Sequence, residues 1–237
     1  MRSAERHQLK QDQFAVKTQE TIDWASAHQN ALLYGTIIVI VVGALLVGGF
    51  YYQQSREQAA STLLGDALQQ FSAPIVPAGT PPTPGFPSFN SAADRAKAAS
   101  GKFTEVSDKY SHTDAGNLAK YFLGLCAEDT KDNAKAEQYL KEASGSGNKD
   151  TAALAKSALA SLYHNTNRDQ EAINLYKELI DKPTNTVTKS SAQMSLAQLY
   201  EAKNPAEAKK LYLDIVKDKD NPEQVINAAN KSMAALK

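Results

Sequence analysis

The chain has 237 residues, enough for one or two domains with a real core. Its 26 lysines and arginines balance 26 aspartates and glutamates, so the formal net charge is zero and nothing marks it for wrapping nucleic acid. The single cysteine, Cys126, excludes an intrachain disulfide and a cysteine-built zinc site, and His7, His28, His112 and His164 are scattered without metal-ligand spacing.

The first 30 residues form a polar leader. Within it, "DQFAVKTQETIDWASAHQN" places Phe14, Ile22 and Ala25 near one helical face with Trp24 beside it. Two readings stand: an interfacial helix with Trp24 at headgroup level, or a solvated tail. Residues 31–52, "ALLYGTIIVIVVGALLVGGFYY", carry no charge, and about 20 such residues cross a hydrocarbon core. Tyr34 sits near one end and Phe50, Tyr51 and Tyr52 near the other, as interfacial aromatics do. The run is longer than a signal peptide's apolar stretch of about 7–15 residues, so an uncleaved single-pass anchor is expected. Arg2, Arg6, Lys10 and Lys17 precede the span, and Arg56 stands alone in the 40 residues after it. That asymmetry favours a cytoplasmic N-terminus and a translocated C-terminal domain, although the residues nearest the two edges, Lys17 and Arg56, tie.

Residues 53–110 read as a divergent helical hairpin. Leu64-Gly65-x-x-Leu68 suits its first helix, and Ala99, Phe103 and Val106 keep the spacing of the second. Between them, residues 72–94 ("SAPIVPAGTPPTPGFPSFNSAAD") hold six prolines. Such a stretch cannot be helical through its centre, so it is an exposed insertion, either a polyproline recognition segment or a spacer.

Residues 111–220 repeat. Leu123-Gly124, Leu159-Ala160 and Leu196-Ala197 align at offsets of 36 and 37 residues. Ala127, Tyr163 and Tyr200 follow, then Ala136, Ala172 and Ala208, then Leu140, Tyr176 and Tyr212, then Ala143, Leu179 and Ile215. Small residues at these places let two antiparallel helices approach, and no such hairpin buries its apolar face alone. Asn204-Pro205-x-Glu207 and Asn221-Pro222 each set a cap residue before a first-turn proline. In residues 221–237 the stripe Val225, Ala228/Ala229, Ser232/Met233, Leu236 suits a capping helix. Cys126 falls in "YFLGLCAED" and reads as a small packed hydrophobe. No nucleophile elbow, P-loop or paired carboxylates stand on a recognisable scaffold, and "GSGNKD" at 145–150 is a turn rather than a phosphate cradle. Neither an enzyme nor a cofactor is expected.

With these residues aligned, the chain resembles the tetratricopeptide repeat family, whose pattern is L-G/A-x-x-Y, then Ala, then an aromatic, often with proline at the exit; here Pro183 and Pro222 stand near that exit. The resemblance implies an all-α architecture, in which a single transmembrane helix precedes a tetratricopeptide-like α-solenoid of antiparallel helix hairpins. It also implies a concave face lined by first-helix side chains. These are Leu118, Tyr121, Leu125 and Glu128; Leu154, Ser157, Ser161 and His164; Ser191, Met194, Gln198 and Glu201. The mixture of apolar and polar groups suits adaptable contacts with a protein segment.

The order of parts also resembles the ancillary SecYEG translocon subunit (YfgM-like) family, from which the Pro-rich insertion departs. That resemblance implies a bacterial inner-membrane protein with periplasmic repeats. Its partners would be Sec translocon components and a membrane-bound prolyl isomerase or periplasmic chaperones, with secreted proteins handed on. Self-association to organise envelope or division machinery is the alternative.

Overall fold

The computed structural model describes residues 17–77, 79 and 87–236. All regular structure among them is helical apart from an isolated parallel bridge between Ile75 and Phe89. The chain divides after Gln54 into two compact units.

In the first unit, α1 (17–27) ends in a turn at His28. Trp24 stacks on His28 with ring centroids 4.9 Å apart, and His28 Nδ1 lies 2.9 Å from the Trp24 carbonyl oxygen. Ile22 and Trp24 are exposed, whereas Phe14 lies outside the described residues. Helix α2 (Gln29–Phe71) follows. It is long and apolar enough to cross a membrane, and no part of its most apolar stretch is covered by protein. Leu45 and Leu46 are each 70% exposed. A core helix of a water-soluble domain would bury such residues, because each costs about 1.5–3 kcal/mol when left in water. The anchor and the following segment were expected as separate elements, but α2 runs through Tyr52 and Gln53 unbroken: no proline or cap intervenes.

The second unit is a series of antiparallel hairpins. Residues 55–71 of α2 pair with α3 (Ala92–Lys109); α4 (Asp114–Asp129) pairs with α5 (Asn133–Ser144); α6 (Lys149–Asn165) pairs with α7 (Asp169–Asp181); α8 (Lys189–Tyr200) pairs with α9 (Pro205–Lys217); and α10 (Glu223–Ala235) covers the last hairpin. Six of the starts are written in the sequence, whereas α7, with Arg168 at its N-cap place, begins without a side-chain cap. Ser91, Thr113, Asp132, Asn148, Thr188 and Asn204 are N-caps whose side chains accept from a first-turn amide. Asn221 departs from this expectation. Pro222 holds the N-cap place of α10, and Asn221 Nδ2 instead donates to the Ile215 carbonyl at 2.9 Å, closing the end of α9.

Two hairpins turn by one device. Lys131 and Asn167, 36 residues apart, have φ of 61° and 62°. Asp132 N donates to Ala127 O at 2.8 Å and Lys131 N to Glu128 O at 2.9 Å; Arg168 and Asn167 repeat these bonds to Tyr163 and His164 at 2.7 and 3.0 Å. This is the Schellman closure, built on residues other than glycine.

The repeat spine is the core. Ala136, Ala172, Ala208, Leu140, Tyr212, Ala143 and Ile215 are fully buried, with Tyr176 and Leu179 nearly so. Ala119, Ala155 and Ala192, one turn before each spine leucine, are also buried, as is Ala60 before Leu64. Gly65 does not join them. It is exposed, with nothing within 4 Å of an added Cβ, and Ala67 turns inward in its stead. Of the terminal stripe, Ala229 is buried and Val225, Met233 and Leu236 pack against the last cluster, while Ala228 is exposed. The Pro-rich insertion is pinched at its base. Val76 N donates to Phe89 O at 2.8 Å and Phe89 N to Pro74 O at 3.0 Å. Its centre, residues 78 and 80–86, lies outside the described residues.

Candidate functional site

Helices α4, α6 and α8 carry the positions expected to line a groove, except Glu201, which caps the end of α8, and these positions differ in depth. Leu118, Tyr121, Leu154 and Met194 are half-buried and pack against the apolar clusters. Leu125, Glu128 and Ser157 are half-buried as well, while Ser161, His164, Ser191, Gln198 and Glu201 are exposed. The large apolar members therefore serve core and surface together. Tyr121 meets the Phe122 ring edge-on at 5.0 Å, and Phe122 stacks on Phe103 at 5.2 Å and contacts Phe71 at 5.4 Å. Burial raises the Tyr121 pKa, and the charge of Glu128 adds to it.

Glu128, His164 and Glu201 hold one register position in successive hairpins, yet their surroundings differ. The Tyr212 hydroxyl donates to Glu201 Oε1 at 2.6 Å, and burial, assisted by that bond, pushes the phenol up to about 12. His164 Nδ1 lies 2.7 Å from Asp169 Oδ1, and the other Asp169 oxygen takes Lys203. Lys203 first, then His164, hold the Asp169 carboxyl below its usual range. Glu128 has no such partner among the described residues. The place of Tyr212 is taken in α5 by Leu140, which has no hydroxyl. Burial, and then the like charge of Asp129, raise the Glu128 pKa.

The lysines in the middle of these helices point elsewhere. Lys120 pairs with Glu142 of α5 at 3.3 Å, and Lys156 with Glu178 of α7 at 2.7 Å.

Two polar networks were missed by sequence reasoning. One links the N-terminal turns of successive first helices. Glu57 accepts from the amides of Asp114 and Ala115, Asn148 Nδ2 donates to Asp114 Oδ2 at 3.1 Å, and Thr186 N donates to Asp150 Oδ1 at 3.2 Å. The 36-residue spacing of Asp114, Asp150 and Thr186 is the signal that could have found it. The other centres on Glu137, which accepts from Arg168 at 2.7 Å and Tyr163 at 3.2 Å and pairs with Lys141 at 2.6 Å. Arg168 also lies over the Tyr163 ring at 4.0 Å. A cleft of about 720 Å³ opens between the first turns of α6, α8 and α10, with Lys149, Lys189, Asp150 and Asp220 at its rim.

No cluster of metal-ligating side chains occurs among the described residues. Cys126 is buried in α4, and burial, followed by Asp129, pushes its thiol up to about 12, so it packs as a hydrophobe.

A family model described as a tetratricopeptide repeat-like domain matches residues 23–177, well over half of the chain. The match runs into α7, and the α8–α9 hairpin beyond it keeps the same buried spine at Leu196, Ala197, Ala208 and Tyr212. No curated protein and no solved structure matches the chain. Stacked hairpins in one register, joined by alanine-lined helix contacts, agree with that match: the chain belongs to the tetratricopeptide repeat-like domain family.

Proposed function

We propose that this protein is a membrane-anchored protein-interaction scaffold, an ancillary subunit of the Sec translocon of the YfgM-like kind. Residues 31–52 span the bacterial inner membrane once, with the N-terminus cytoplasmic and the repeats periplasmic. The repeats receive emerging secreted chains and pass them to a membrane-bound prolyl isomerase or to periplasmic chaperones. The observation that carries this reading is α2. Its first part is uncovered and apolar, and its last part, from Ala60 to Phe71, is the first helix of the repeat array. A single helix carries both the anchor and the first repeat, which tethers the interaction module to the membrane at which emerging chains appear. Tetratricopeptide repeat-like domains bind protein, and the half-buried Leu118, Tyr121, Leu154 and Met194 give this one apolar purchase on a segment.

Photocrosslinkers at Leu125 and Gln198, on the groove side, are expected to capture translocon components or secreted chains in intact cells, whereas one at exposed Lys141 captures few. Capture at Lys141 with none in the groove would place binding on the other face. Self-crosslinks alone at Leu125 and Gln198 would favour the organiser reading.

A further inference from the structure

Along α4, Tyr121 and Glu128 are seven residues apart, about 10 Å on the helix axis. Tyr121 and the α6 residues Leu154 and Ala158 pack on one apolar cluster, so the two first helices adjoin there. Tyr121 and Leu125 of α4 and Leu154 of α6 are half-buried apolar side chains, and Glu128, about one turn beyond Leu125, is a half-buried carboxylate. No cation or donor among the described residues partners that carboxylate. Lys120 and Lys156, the lysines within these two helices beyond their first turns, are taken by Glu142 and Glu178. His164 is held by Asp169, and the phenol that holds Glu201 in the last hairpin is replaced by Leu140 here. A half-buried acid left without a cation or donor is costly by itself and favours a partner that brings one.

We propose that the furrow between α4 and α6 docks an extended protein segment carrying a lysine or arginine about three residues from a large apolar side chain. The cation meets Glu128 while the apolar group covers Tyr121, Leu125 and Leu154. The spacing follows from geometry: about 10 Å of helix axis is matched by about three residues of extended chain at roughly 3.3 Å each. The proposal rests on the reading of the repeats as a protein-binding groove and adds the chemistry that the segment must have.

The test uses the full chain in detergent micelles with a photocrosslinker at Leu125 and three fluorescent ten-residue peptides. Each peptide carries one leucine in a glycine-serine background, with lysine, glutamine or glutamate three residues away. The lysine peptide is expected to be captured about two- to fivefold better than the glutamine peptide, as for a partly exposed ion pair. The glutamate peptide is expected to be captured least. Glu128→Gln should level the three, and Glu128→Lys should invert the order. Circular dichroism confirms that both variants remain folded. Equal capture of all three peptides by the wild type, or an unchanged lysine preference in Glu128→Gln, overturns the charge selection and leaves the groove standing. No capture of any peptide at Leu125 overturns the groove itself.

Discussion

Gly124 of α4 and Leu140 of α5 approach so closely that a Cβ on residue 124 would stand 2.6 Å from Leu140 Cγ. The equivalent positions are Ala160 and Ala197, and there Tyr176 and Tyr212 stand in the place of Leu140. Gly124→Ala is expected to destabilise the protein by about 1–3 kcal/mol, the usual cost of overpacking. In Leu140→Ala the same glycine substitution should cost little. Urea denaturation of the full chain in detergent, run as a double-mutant cycle, measures the coupling; additive losses would mean that the two residues do not compete for space.

Glu57 does for α4 what an N-cap residue does from within a helix. Its two carboxylate oxygens accept from Asp114 N at 2.8 Å and Ala115 N at 2.9 Å, amides without intrahelical partners. Beside it, Arg56 donates to the Lys109 carbonyl and lies over the Tyr110 ring. Glu57→Ala should cost about 0.5–2 kcal/mol, as a lost cap does. Amide exchange at residues 114 and 115 should quicken selectively, and unchanged exchange there would rule out the capping role.

Lys131 adopts φ of 61° with a side chain that this region disfavours. Glycine at a helix C-terminus of this kind avoids a penalty of about 1–2 kcal/mol. Lys131→Gly is therefore expected to raise stability by about 1 kcal/mol, less the added chain entropy of glycine. Asn167→Gly should gain less, because asparagine tolerates the conformation. Midpoints of urea denaturation rank the two variants.

Glu137 is held at about 2 by hydrogen bonds from Arg168 first and Lys141 second, against the opposing effect of desolvation. A carboxyl whose folded-state pKa is lowered contributes stability above its unfolded pKa, about 4.3, and loses it as pH falls toward the folded value. The thermal midpoint should thus fall between about pH 4.5 and 2. Glu137→Gln should flatten that slope without abolishing it, since Asp132, Asp150, Asp169 and Glu171 are also held below their usual range. Equal slopes for the two proteins would show that the Glu137 network does not contribute.

The repeat, the spine alanines, the cap at Asn204 and the uncharged apolar run were legible in the sequence because each is a local pattern. A 36-residue period, a 22-residue uncharged run and a cap before a helix all lie within a window that one can read along the chain. The register of Leu123, Leu159 and Leu196 also aligned the three hairpins, and the structure buries all three leucines.

Tertiary structure alone decided which groups meet. Glu57 and Asp114 are 57 residues apart, and Glu137 and Arg168 31 apart, so their bonds depend on the packing of whole helices. Packing also assigned Gly65 to the surface and Ala67 to the core, against the repeat pattern. It decided, too, the different fates of Glu128, His164 and Glu201. Their register is the same, but a carboxylate is satisfied only when the neighbouring helix presents a donor: Tyr212 presents one and Leu140 does not.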